Sequence, residues 1–131
     1  MTPQHEEALR ALRLADRDIA VLDRIKGIPE IHLSMVCFHA QQAVEKFPKA
    51  VLYERHIDFR RTHDLAELAA LLKRGGFPVP CSDAELLKLN PYGVTFRYDD
   101  KDIELLSRDE AVWIVRMIRE WAGEQVSQPS A

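Results

Sequence analysis

HAQQAVEKFPKAVLYER, residues 39–55, is the stretch that decides the fold. Val36, Ala40, Ala43, Val44, Phe47 and Val51 recur at steps of three and four, the spacing of one helix face. A second stripe holds Ile31, Met35, Phe38, Gln42, Glu45 and Lys49. The two stripes together predict a long helix from about Pro29 to His56. Pro48 removes the hydrogen bond to the Val44 carbonyl and crowds it, at a cost of about 3 kcal/mol. Because the apolar pattern resumes at Val51 and Leu52, the reading is one kinked helix, not two. A plain packing helix has no need of Gln41, Gln42, Glu45 and Lys46 clustered beside His39, so the same stretch is also the candidate functional surface.

Working outward, Ala8, Leu12, Ala15, Ile19, Leu22 and Ile25 form the apolar stripe of a first helix, opened by Thr2-Pro3 and closed by Gly27. Asp64 with Glu67 resembles a capping box and opens a third helix that stops at Gly75-Gly76. Ser82 with Glu85 opens a short fourth helix ending near Asn90-Pro91, and Ser107 with Glu110 opens the last. The final helix buries Ala111, Ile114, Val115, Ile118 and Trp121 or Ala122. In YGVTFRYDD, residues 92–100, Tyr92, Val94, Phe96 and Tyr98 alternate with Gly93, Thr95, Arg97 and Asp99. That period of two predicts an extended loop laid on the bundle, too short to make a sheet. The fold class is therefore all-α: an up-and-down bundle of four to five helices with one short extended loop. Residues 1–126 form it, and 127–131 form a flexible tail.

At 131 residues and 47% hydrophobic, the chain suits one domain that needs no disulfides. Eighteen basic against 21 acidic residues give a net charge of −3, which argues against broad attraction to nucleic acid and leaves room for a local basic patch. Two isolated cysteines and the absence of a leader-like or membrane-length apolar run point to a cytoplasmic protein with no membrane contact. The five histidines are scattered, so no metal site and no cofactor is expected. Phe38, Phe47, Val51, Trp113 and Trp121 exceed what one small bundle hides, which predicts a homodimer.

The blocks F-H-A-Q-Q-A-V-E-K at 38–46, R-T-H-D-L at 61–65 and Y-x-V-x-x-R-Y-D at 92–99 resemble the HEPN family in order and spacing, over most of the chain. Pro48 departs from the pattern, where relatives carry an ordinary helix former. The resemblance implies a bundle of about five helices that pairs as a homodimer through its second helix and the Arg97-Tyr98 loop. It implies a minimal nucleotidyltransferase encoded nearby, as the other half of a toxin–antitoxin-like module. Active members are metal-independent ribonucleases, whose signature is an Arg, four to six residues, then a His. Here the Arg maps to Arg97, but positions 102–104 hold Asp102, Ile103 and Glu104, and no histidine follows Arg97 anywhere. Metal-free RNA cleavage needs a proton carrier as well as a cation for the phosphorane. The ribonuclease motif thus reads as degenerate.

The catalytic candidates are Arg97, Tyr98 and His63, with His39 and Lys46 as substitutes. The binding candidates are Gln42, Glu45, Lys46, Lys49 and Arg97. Glu45 and Lys49 make an i,i+4 pair, and Glu45 is the expected partner of Arg97 should that residue be covered. Gln41 and Gln42 read as hydrogen-bonding the extended loop, and His63 as fixing the 60–64 turn. Tyr98 is the position the resemblance suggests for adenylylation by the nucleotidyltransferase. The first function reading is a dimeric binding partner of that enzyme. The others are a divergent endoribonuclease toxin and a nucleotide-binding accessory protein, with RNA or a nucleotide as ligand.

Overall fold

The computed structural model describes residues 2–93 and 104–127. Five α-helices follow one another: α1 Pro3–Ile25, α2 Leu33–Glu54, α3 Leu65–Arg74, α4 Asp83–Leu89 and α5 Arg108–Ser127, with a 3-10 turn at Asn90–Gly93 after α4. No strand occurs among the described residues. The all-α bundle read from the periodicity is the observed architecture.

Helix α2 is the axis, packed by α1, α5, α3, α4 and the 3-10 turn. Its burial follows the first stripe, with Val36, Ala40, Ala43, Val44, Phe47 and Val51 in the core beside Ala50 and Leu52, whereas Met35 of the second stripe is exposed and Ile31 precedes the helix. Helix α1 runs antiparallel to it. His5 at the start of α1 meets Glu54 at the end of α2 at 2.7 Å, and Asp18 meets Lys46 midway at 2.6 Å. Helix α5 runs back along α1, since Arg108 at its start holds the carbonyls of Lys26 and Ile28 at 3.1 and 3.0 Å, and that of Ile31. Further along, Arg119 meets Asp16 at 3.2 Å. The short α3 and α4 make the return leg between α2 and α5.

Two sequence expectations about boundaries need correcting. Helix α2 starts at Leu33, capped by His32, and ends at Glu54, instead of spanning Pro29 to His56. Residues 26–32 are instead the connection that Arg108 clamps. At the far end His56 takes a left-handed φ of 56°. Its N–H donates to Tyr53 O and the Ile57 N–H donates to Leu52 O, which closes the helix in a Schellman turn. Pro48 lies inside one unbroken helix. The packing of Val44, Phe47 and Val51 around it offsets the lost hydrogen bond.

Capping holds at Ser82–Glu85 and at Ser107–Glu110, where side chain and backbone bond reciprocally. At Asp64 the box is incomplete. Asp64 caps the Ala66 and Glu67 N–H groups, but the Glu67 carboxylate turns to Arg60 at 2.6 Å. The Asp64 N–H donates to Thr62 Oγ1 instead. The extended segment expected from Tyr92 does not begin there: Tyr92 and Gly93 lie in the 3-10 turn, and positions 94–103 lie outside the described residues. So does 128–131, most of the expected tail.

The apolar-surplus argument for a dimer also weakens. Phe47 and Val51 are buried in their own chain and Trp121 packs on the core, while Trp113 stays 53% exposed.

Candidate functional site

The polar residues of α2 form a network centred on Glu45. Successive positions 41, 42, 45 and 49 fall along one side of the helix because of its 3.6-residue period. That side faces the loop before α3 and the 3-10 turn. Glu45 is only 5% exposed, so its carboxylate must be paired. Oε1 accepts from Gln41 Nε2 at 3.2 Å and lies 2.8 Å from His63 Nδ1, and Oε2 accepts from Lys49 Nζ at 3.1 Å. The fully buried Gln41 also donates to the His63 carbonyl at 3.4 Å and accepts from Gln42 Nε2 at 2.7 Å. A chain of hydrogen bonds therefore runs Gln42 to Gln41 to Glu45, with His63 and Lys49 on the same carboxylate.

Two neighbouring turns fix this network. Thr62 and Asp64 shape the RTHDL turn, and Asn90 locks it to the end of α4. Asn90 Oδ1 accepts from Leu65 N at 2.8 Å, and its Nδ2 donates to Asp64 Oδ1 at 3.0 Å. That amide bond first, with the two capping N–H groups, holds the Asp64 carboxyl below its ordinary value. On the other side Gly93 lies against Gln41, where an added Cβ would come within 2.5 Å of the Gln41 amide carbon. Buried Tyr92 anchors the same turn, its hydroxyl accepting from Leu105 N at 3.1 Å. Burial pushes that phenol's pKa up.

Of the sequence-named residues, the structure brings together Gln42, Glu45, Lys49 and His63. Lys46 does not join them. It turns to the opposite side and binds Asp18 of α1 at 2.6 Å, with His39 Nδ1 3.9 Å from the same carboxylate. Consecutive helical positions diverge by about 100°, so Glu45 and Lys46 cannot share a partner. The Glu45–Lys49 pair is present. Arg97 and Tyr98 lie outside the described residues, as does any contact between Arg97 and Glu45. Gln41 holds the loop before α3, and the expected bonds of Gln41 and Gln42 to the extended loop after α4 fall outside the described residues. Turn fixing at 60–64 falls to Thr62, Asp64 and Asn90, while the His63 ring reaches α2. Sequence reading passed over Asn90, Gly93 and Asp18. The signals for Asn90 and Gly93 were a loop asparagine beside proline and a glycine after a tyrosine, both of which read first as turn punctuation.

What the arrangement offers chemically is an exposed imidazole and a partly covered ammonium on one buried carboxylate. His63 keeps 64% of its side chain exposed and Lys49 18%. Both outward groups are polar and open to hydrogen bonding. No described helix is long and apolar enough to cross a membrane.

No curated protein matches this chain, and no solved structure does. A family model described as HEPN domain matches residues 5–125, from the first turn of α1 almost to the end of α5. The network around Glu45 and the RTHDL turn both fall within that span, and the chain belongs to the HEPN family.

Proposed function

We propose that this protein is a dimeric binding partner of a minimal nucleotidyltransferase encoded nearby, in a toxin–antitoxin-like cytoplasmic module, with its ribonuclease motif degenerate. The observation that carries this reading is the order of histidines. All five, from His5 to His63, precede Arg97, and the place of the signature histidine holds Asp102, Ile103 and Glu104. A guanidinium can stabilise a phosphorane, but it cannot carry the proton of the 2′-hydroxyl or of the leaving oxygen. The α2 network fits a surface that recognises and holds. Its carboxylate is already paired, and its exposed groups, His63 and Lys49, are hydrogen-bonding groups suited to a nucleotide or RNA end. Co-expression with the neighbouring nucleotidyltransferase tests the reading. A complex that survives size exclusion supports it, and two separately eluting proteins oppose it.

A second reading, a divergent metal-independent endoribonuclease, is favoured by one feature: His63 on a buried carboxylate is a proton carrier from elsewhere in the chain. Growth arrest on expression, abolished by Arg97→Ala, would turn the choice that way. A third, a nucleotide-binding accessory protein, predicts nucleotide affinity with neither toxicity nor complex.

A further inference from the structure

Helix α2 ends by folding the chain back on itself. With His56 in the left-handed region, the Ile57 N–H reaches Leu52 O at 2.9 Å, and the chain returns beside the last turn of the helix. That return sets the Phe59 ring against Tyr53, with centroids 5.2 Å apart and planes at 69°. The two half-buried rings, with Gln4 from the first turn of α1, His56 and Asp58, line a cavity of about 180 Å³. An edge-to-face pair by itself is ordinary packing. The polar groups around this pair, however, are not used in packing. Among the described residues, the side chains of Gln4, His56 and Asp58 and the Tyr53 hydroxyl have no hydrogen-bond or ion-pair partner. The nearby charges are engaged elsewhere: Glu54 holds His5 at 2.7 Å, and Arg55 turns to Gln125 and the face of Phe77. Asp58 is therefore the unbalanced charge at this cavity. A negative charge beside two aromatic rings, whose faces also attract cations, is the chemistry of an ammonium site. An anion would meet Asp58, and a neutral apolar group would cover that carboxylate without pairing it. The volume lies below the about 300–1,000 Å³ of drug-sized ligand sites, so the cavity takes a small headgroup and not a nucleotide.

We propose that Tyr53, Phe59 and Asp58 form a binding site for a small quaternary ammonium group, where α2 closes against the start of α1. The site shares no residue with the network around Glu45, and it does not depend on the function proposed above. The rings supply the faces on which the methyl groups of the cation rest, and Asp58 supplies the opposing charge.

Titration of choline into the full chain at pH 8, followed by aromatic carbon–proton NMR, tests the site directly. The expected result is saturable shifts of the Tyr53 and Phe59 ring resonances. The neutral isostere 3,3-dimethylbutanol, which keeps the shape and drops the charge, should bind about tenfold more weakly. Asp58→Asn, at an exposed position without partners, leaves folding intact and should weaken choline binding about threefold. Phe59→Leu should weaken it about tenfold, whereas Tyr53→Phe, which keeps the ring, should leave it within about twofold. A short peptide carrying trimethyllysine separates the two sources of the same group. Binding about tenfold tighter than choline assigns the site to a side chain on a partner, and equal or weaker binding assigns it to a free cation. Absence of saturable shifts at both rings overturns the proposal. So does equal affinity for choline and its neutral isostere, or an Asp58→Asn variant that binds choline as the wild type does.

Discussion

Replacing Glu45 by alanine should cost about 3 kcal/mol of folding stability. The figure is built from what each partner loses. Gln41 is fully buried, and removing its acceptor strands an amide donor, at about 1–2 kcal/mol. Lys49 keeps 18% of its side chain exposed, so its ammonium can partly rehydrate, and loss of the half-buried pair adds about 1 kcal/mol. His63 is mostly in solvent and contributes a few tenths of a kcal/mol at most. The cavity left by the truncated side chain adds the remainder. For a chain of this length that sum corresponds to a fall in Tm on the order of 10 °C. Glu45→Gln keeps the shape and one acceptor, and should cost about 1 kcal/mol. Urea unfolding followed by circular dichroism measures both, with an unchanged slope as the check that the unfolded state is the same. Because the carboxylate is buried, half-molar salt should change the difference little. An alanine variant within 0.5 kcal/mol of wild type would refute the reasoning, since it would mean that Glu45 is solvated and its network decorative.

Other perturbations test separate parts of the structure. His56→Gly should stabilise by about 0.5–1 kcal/mol, because the φ of 56° strains a residue with a Cβ more than it strains glycine; thermal melts decide it. Gly93→Ala should destabilise by about 1–3 kcal/mol, since the new Cβ meets the Gln41 amide and that side chain cannot yield without breaking its hydrogen bonds. Cys37 and Cys81 should resist thiol reagents at pH 8 until the chain is denatured, as burial raises each from 9.0 to about 12. Their folded pKa lies above the unfolded value, so the stability they carry is whole below pH 9 and is lost between pH 9 and 12. Denaturant titrations across that range, against a Cys37→Ala control, check the sign.

How much of this could be read from the residues alone differs by level. The helices were legible because periodicity and capping are local. Ser82 with Glu85, and Ser107 with Glu110, each satisfy their own helix start within three residues. The start of α2 was not legible, because Arg108, some 80 positions away, holds the Lys26, Ile28 and Ile31 carbonyls outside the helix. The Asp64–Glu67 pair shows how a local signal loses to a neighbour: Arg60 offers Glu67 a charged partner that a backbone N–H cannot match. At the site, the grouping of Gln42, Glu45 and Lys49 followed from helical spacing, while Lys46 was misplaced because adjacency in sequence was taken for adjacency in space. His63 meeting Glu45 depends on how the loop before α3 crosses α2, which no spacing rule encodes.

The alanine and glycine variants probe the scaffold, whereas the account stands on what the face of α2 meets. Co-purification of the tagged chain with the nucleotidyltransferase encoded beside it, followed by light scattering of the eluted peak, is the most direct test. The predicted result is one stable assembly containing both chains, heavier than twice the 15.1 kDa subunit, and inert toward structured RNA. A lone peak of this chain that cleaves RNA, and stops doing so with Arg97→Ala, would contradict it.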